Sequence, residues 1–245
     1  MKKIFFITLT LFIISAGAVF AHQPQLVNKE TIIRVTDPEV SKAYYAELNG
    51  DSAIYKISSP ADFTLYVNLL VPILKDEENN KNGEKQNLNA IIKKNGVVIK
   101  YLSDQENNWP LYYEEFGGDY YYQGPEYETQ AGIGDYEIIV SNTNNTGKYV
   151  IAIGKEEAFP ISEIWRTTKI MPSLKHDYFG KSYFSALNNI FGKYLGISIG
   201  VLLILIIIII LIIKKRNKIK QRIGEKLLKD VVSKNKGKGN PHSYV

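Results

Sequence analysis

From His22 to about Lys155, apolar and polar positions alternate in short runs, the pattern of strands rather than helices. Phe63, Leu65, Val67, Leu69 and Val71 share one face of a segment whose other face carries Thr64, Tyr66 and Asn68. Thr31 to Val35 is rich in β-branched residues, and Ala53 to Ile57 is short and alternating. Ala90 to Lys94 and Val97 to Leu102 flank Asn95-Gly96, a strong hairpin signal because both central residues of a type I′ turn need positive φ. Asp135 to Val140 and Lys148 to Ile153 alternate across a polar turn that ends at Gly147. Seven or eight strands at this spacing predict an all-β domain, an antiparallel β-sandwich or jelly roll. Two long interruptions divide them. Pro72 to Asn87 is polar and predicts an exposed loop, whereas Ser103 to Tyr127 is crowded with aromatic rings.

The pattern changes at Phe159-Pro160. Ile161, Ile164, Trp165 and Thr168 recur at helical spacing as far as Pro172. Phe179, Tyr183, Leu187, Ile190, Phe191 and Tyr194 then recur every three or four residues, which predicts an amphipathic stem whose rings suit a membrane headgroup zone. Leu195 to Ile213 is an uncharged run of 19 residues, 16 of them Leu, Ile or Val. As a helix it is about 28 Å long, against about 30 Å of bilayer hydrocarbon. Lys214, Lys215 and Arg216 follow as a stop-transfer cluster. At the other end, Lys2-Lys3, the apolar run Ile4 to Ile14 and the small residues up to Ala21 read as a signal peptide cut before His22. The expected layout is a signal peptide over 1–21, an outer sandwich over 22–157, a stem over 158–194, a transmembrane helix over 195–213 and a basic cytoplasmic tail over 214–245. In the tail, Ile219, Ile223, Leu227, Leu228, Val231 and Val232 gather on one face among lysines and arginines. That predicts a basic amphipathic helix on anionic lipid, ending in a mobile segment from Lys234.

Charge supports this layout. The whole chain carries a formal +5, but residues 22–213 are net −6 and residues 214–245 net +9. The basic excess is a positive-inside signal, not a nucleic-acid surface, so no nucleic-acid partner is expected. There is no cysteine, which excludes thiolate catalysis, cysteine-ligated zinc and disulfide staples, and leans towards a prokaryotic envelope.

Motifs for catalysis are poor. The chain has three histidines, His22, His176 and His242, and no zincin helix, nucleophile elbow, phosphate loop or dinucleotide fingerprint. A copper brace at an N-terminal His22 would need a second histidine, and Glu78 to Gly83 mimics a calcium loop without its closing glutamate. No metal or cofactor is therefore expected. Trp109, Tyr112, Tyr113, Phe116, Tyr120, Tyr121, Tyr122 and Tyr127 are the binding candidates, since such rings offer rigid area with a polar handle. The competing role for the same rings is to close one end of the core. Gly192, Gly196 and Gly200 recur every four residues and would let two membrane helices approach in a weak homodimer.

Gly134 to Val140, a polar turn, and Gly147 to Ile153 resemble the last hairpin of bacterial prepeptidase C-terminal-like domains. Tyr55-Lys56-Ile57 and Phe63 to Val67 are similar to their opening strands, so the likeness covers about 44–71 and 133–153. Leu88 to Lys93 departs from the family, offering Asn87 and Asn89 where paired aspartates often stand. The resemblance implies a β-sandwich that binds or targets without catalysis. Together these features predict a single-pass cell-membrane protein in contact with lipid, its N-terminal domain outside and its tail in the cytoplasm. The outer sandwich would bind a protein or glycan. An accessory or scaffold subunit of a membrane complex is the alternative, and an envelope enzyme a more distant one.

Overall fold

A computed structural model describes residues 22–74, 87–103, 105, 108–158, 160–188 and 190–236. The expected signal peptide, the Glu78–Gly83 stretch and the end of the tail from 237 onward lie outside these residues. Two compact units divide the chain, Met1–Gly192 and Lys193–Val245.

Eleven strands among the described residues build the first unit: β1 (Gln23–Leu26), β2 (Ile32–Arg34), β3 (Lys42–Asn49), β4 (Ala53–Ser59), β5 (Phe63–Pro72), β6 (Asn89–Lys94), β7 (Val97–Leu102), β8 (Leu111–Glu114), β9 (Asp119–Ala131), β10 (Gly134–Ser141) and β11 (Thr146–Ile153). They form a six-stranded sheet, β1-β3-β11-β5-β9-β8, and a five-stranded sheet, β2-β4-β10-β6-β7. The sandwich expected from sequence is therefore present. All neighbours are antiparallel except the leading strand of each sheet, where β1 runs parallel to β3 and β2 parallel to β4. Asn95 (φ 48°) and Gly96 (φ 82°) make the tight turn between β6 and β7 that their identity predicts.

Strand parity decides the core. Phe63, Leu65, Val67, Leu69 and Val71 of β5 face inward with Tyr44, Ala46 and Leu48 of β3 and Tyr149, Ile151 and Ile153 of β11. They meet Tyr55, Ile57, Tyr136, Ile138, Val140, Ala90 and Ile92 of the other sheet. Tyr55 and Tyr149 join their hydroxyls at 2.9 Å inside this core, so neither buried oxygen is left unsatisfied.

The opposite face of the six-stranded sheet is covered as well. Residues after the sandwich form a series of short helical pieces. They make helix α1 (Ile161–Ser173), a π-helical turn (Leu174–Tyr178) and a 3₁₀ turn (Tyr183–Leu187). Pro172, which lacks an N–H, sits in the last turn of α1, and the wider turn follows it directly. Met171, Leu174, Tyr178 and Phe179 pack on Ala43, Tyr45, Leu70, Tyr121, Val150 and Ala152, which makes a second core. Phe179, read from sequence as a headgroup-facing ring, is buried there. The helical stripe Ile161, Ile164 and Trp165 is in turn exposed, while Thr167 and Met171 form the buried face of α1. Tyr178 locks the layer by donating from its hydroxyl to the Tyr149 carbonyl at 2.6 Å.

The second unit is helical. Helix α2 (Ile190–Lys236) runs through the apolar segment and on into the basic tail, and Gly196–Ser233 within it is long and apolar enough to cross a membrane.

Candidate functional site

The aromatic segment, an interruption in the sequence pattern, holds a hairpin. Strands β8 and β9 pair Leu111 with Tyr122, Tyr112 with Tyr121, Tyr113 with Tyr120 and Glu114 with Asp119. Cross-strand partners point to the same side, so the tyrosines separate into two sets. Tyr121 turns outward into the second core with Tyr112 beside it, whereas Tyr122 packs against the inner core. Tyr113 and Tyr120 lie beyond that core with ring centroids 4.7 Å apart and more than a third of each residue exposed.

The remaining candidates are buried or partly buried. Trp109 is buried in the inner core and Tyr127 packs against it. Phe116 is buried at the tip of the hairpin. The ladder between β5 and β9 shifts register at Asn68/Leu70, opposite Gly124-Pro125, and the Trp109 ring lies where a side chain on residue 124 would stand. Of the eight candidates, Tyr112, Tyr113 and Tyr120 are well exposed. In α2, a side chain at Gly192 would collide with the Leu187 backbone, whereas Gly196 and Gly200 border open space. Lys214, Lys215 and Arg216 continue the same helix as exposed residues.

A cavity of about 140 Å³ opens on the outer face of the six-stranded sheet. Its walls include Tyr45, Tyr66, Tyr112 and Tyr121, with Asn68 and Glu114 among them and Met171 on the helical side. His22 stands at its edge with Nδ1 against the Ser41 hydroxyl, and burial pushes the imidazole pKa down, towards the neutral ring.

Beside this cavity lies a charged cluster that sequence reasoning missed. Lys175 and Asp119 form an ion pair in which each side chain is 1% exposed. Lys175 also donates to the Gly117 carbonyl at 2.5 Å, and Lys181 reaches the other Asp119 oxygen at 3.2 Å. Burial pushes the Lys175 pKa down, opposed by Asp119. Glu114 accepts N–H bonds from Phe116 at 2.9 Å and Gly117 at 2.5 Å, which closes the hairpin turn. Burial nevertheless pushes its carboxyl up to about 7, against those two bonds. The available sequence signal was Lys175 next to Leu174 on an otherwise apolar helical face. A lone charge there reads as solvated unless its partner, 56 residues away, is known.

Glu114 makes stability depend on pH. The folded state holds its proton more tightly than an unfolded chain, whose carboxyl titrates near 4.5. The stabilisation is complete below about 4.5 and disappears as pH rises through about 7. Allowing for partial solvent access, its size is about 2 kcal/mol. Unfolding free energies measured at pH 5 and pH 8 should show native protein losing about that much more than Glu114→Gln. Parallel pH profiles for the two proteins would contradict the assignment.

No family model and no curated protein matches the sequence. Among solved structures, the chain is similar to the pre-peptidase C-terminal domain of a collagenase from Bacillus anthracis. That match has 14% identity and a TM-score of 0.31, and covers 52% of this chain and 97% of that one. A family 35 carbohydrate binding module from an environmental isolate matches at 17% identity and TM-score 0.25, over 43% of this chain and 66% of that one. A beta-glucosidase from Paenibacillus barengoltzii matches at 10% and 0.25, over 54% of this chain and 13% of that one. The likeness read from sequence and the first of these structures concern the same kind of domain. The fold itself is assigned from this chain's own two sheets.

Proposed function

We propose that this protein is a membrane-anchored binding module. In this reading residues 1–21 direct export, residues 195–213 cross the cell membrane, and the stop-transfer cluster Lys214-Lys215-Arg216 keeps the tail in the cytoplasm. The outer sandwich then recognises a protein or glycan and performs no chemistry of its own. One observation carries the recognition part. Tyr113 and Tyr120 form an exposed pair on the open edge of a sheet, beside exposed Leu111, and neither core accounts for them.

A glycan array and a pull-down with detergent-solubilised full-length protein test it together. Replacing both Tyr113 and Tyr120 by alanine is expected to weaken capture of the recovered ligand at least tenfold, with an unchanged melting temperature. Undiminished capture by a folded double variant would sink the assignment. Protease added to spheroplasts should remove the sandwich and spare an epitope placed after Lys218, and the reverse pattern would refute the orientation.

The accessory-subunit reading draws on a different surface. Ile161, Ile164 and Trp165 on α1 and Phe184 in the 3₁₀ turn are all exposed, and Phe184 is 79% so. A partner membrane protein seated there would be lost on changing Trp165 and Phe184 to serine. Ligand capture through Tyr113 and Tyr120 would persist.

A further inference from the structure

The cavity behind the hairpin is independent of the exposed tyrosine pair, and its lining describes a ligand. We propose that it binds a small organic cation of the quaternary ammonium class. The argument begins with charge. Glu114 lines the cavity and has no ion-pair partner among the described residues. Lys175 and Lys181, the nearby cations, both bond Asp119. The two N–H bonds that Glu114 accepts close its turn, and that task needs acceptor oxygens rather than a charge. Lys175 acts on Glu114 only from a distance, and a carboxylate withdrawn from water without a direct ion pair is a poor structural device but a good cation receptor.

The walls narrow the class. Tyr45, Tyr66, Tyr112 and Tyr121 surround the same space, and aromatic rings attract cations through their negative faces. Three of the four hydroxyls are already engaged: Tyr45 and Tyr121 lie 3.4 Å apart, and Tyr66 donates to Glu126 at 3.0 Å. The Asn68 amide donates to the carbonyls of Gly124 and Pro125, at 3.3 and 3.5 Å. Four aromatic walls and Met171 supply more ring and apolar surface than converging acceptors for the three N–H groups of a primary ammonium. A quaternary ammonium needs none and presents methyl groups to rings and to Met171. The volume agrees. An apolar protein cavity of about 150 Å³ holds benzene, so about 140 Å³ accommodates a trimethylammonium group with a short arm.

Protonation of Glu114 should compete with the ligand. The groups facing it are Asp119 and Tyr121 from β9, Tyr112 from β8, Tyr45 from β3 and Lys175 from the π-helical turn. His22 also lines the cavity. A cation favours the ionised carboxylate, so affinity should rise as pH increases from 6 to 8. Any charging of His22 at low pH acts in the same direction.

Calorimetry on full-length protein in maltoside micelles tests this with choline and its neutral isostere 3,3-dimethyl-1-butanol. Choline should bind at least tenfold tighter than the isostere at pH 8 and lose most of that preference by pH 6. Glu114→Gln should abolish the preference. Should that variant misfold, Tyr112→Leu on the exposed edge strand serves instead, with a loss of about fivefold at unchanged melting temperature. Glycerophosphocholine separates the sources. Binding equal to choline indicates a lipid-type headgroup, and its rejection a free cation, and either supports the site. Equal binding of choline and the isostere, binding of neither, or a pH-independent preference would overturn it. Loss of the Tyr113 and Tyr120 ligand would leave this result untouched.

Discussion

Lys175→Met is expected to destabilise the first unit by about 3–5 kcal/mol, because it leaves a buried carboxylate without its main partner. Asp119 has 1% of its side chain exposed and cannot recover the lost interaction from water. Lys181 still reaches its other oxygen, at 3.2 Å and with 12% of its own side chain exposed, which favours the lower end of that range. The change also removes the bond to the Gly117 carbonyl, so the β8–β9 turn loses its link to the helical layer. At roughly 2–4 °C per kcal/mol, the melting temperature should fall by about 10 °C. Denaturant titration followed by tryptophan fluorescence measures it, since Trp109 is buried in the unit. Replacing Asp119 and Lys175 together by leucine should recover much of the loss, as an apolar pair removes both desolvation costs. A single variant within 1 kcal/mol of native protein would show that the pair is solvated.

Gly124→Val should be comparably damaging for a steric reason. A side chain there occupies the space of the Trp109 ring, and both lie against a well-packed core. Either the ring leaves or β9 moves away from β5, and a loss of about 3–5 kcal/mol follows, the range for deleting a buried tryptophan. The two positions form a natural cycle. Trp109→Ala should cost a similar amount alone, yet Gly124→Val added to it should cost little more, because the obstructing ring is gone. Additive losses would mean that Gly124 serves the register shift beside Pro125 rather than the tryptophan.

What could be read from sequence follows from how clearly polar residues mark the second face of a strand. Strands β4, β6, β10 and β5 each showed one apolar face, and Asn95-Gly96 fixed its hairpin by backbone conformation alone. Strand β3 escaped notice because Ala43 and Tyr45 pack under the helical layer while Tyr44, Ala46 and Leu48 pack in the sandwich. A strand buried on both sides loses its alternation unless polar residues, such as Thr64 and Asn68 of β5, mark its outer face. The β8–β9 hairpin was hidden for the same reason, with aromatic residues on both faces and Gly117-Gly118 imitating a loop. Composition drew attention to its tyrosines, but strand parity decides which of them are exposed. The cavity and its charges were out of reach. Glu114, Asp119 and Lys175 read individually as solvated charges; the β8–β9 hairpin pairs the first two, and only the folding back of residues 161–179 brings Lys175 to them.

That folding back has a mechanical consequence. Tension applied to the chain beyond Leu187 does not act first on β11, which ends at Ile153 and lies between β3 and β5. It meets Lys181 on Asp119, then Phe179 and Tyr178 seated on the sheet, with the Tyr178 hydroxyl on Tyr149 and its carbonyl accepting from Lys148, each at 2.6 Å. Without this layer the same pull would open the β11 ladder one residue pair at a time. With it, rings and bonds must slide together before any strand is loaded, and resistance to forced unfolding is set by that concerted step. Residues 174–181 thus act as a strain relief between the sandwich and whatever holds the far end of the chain.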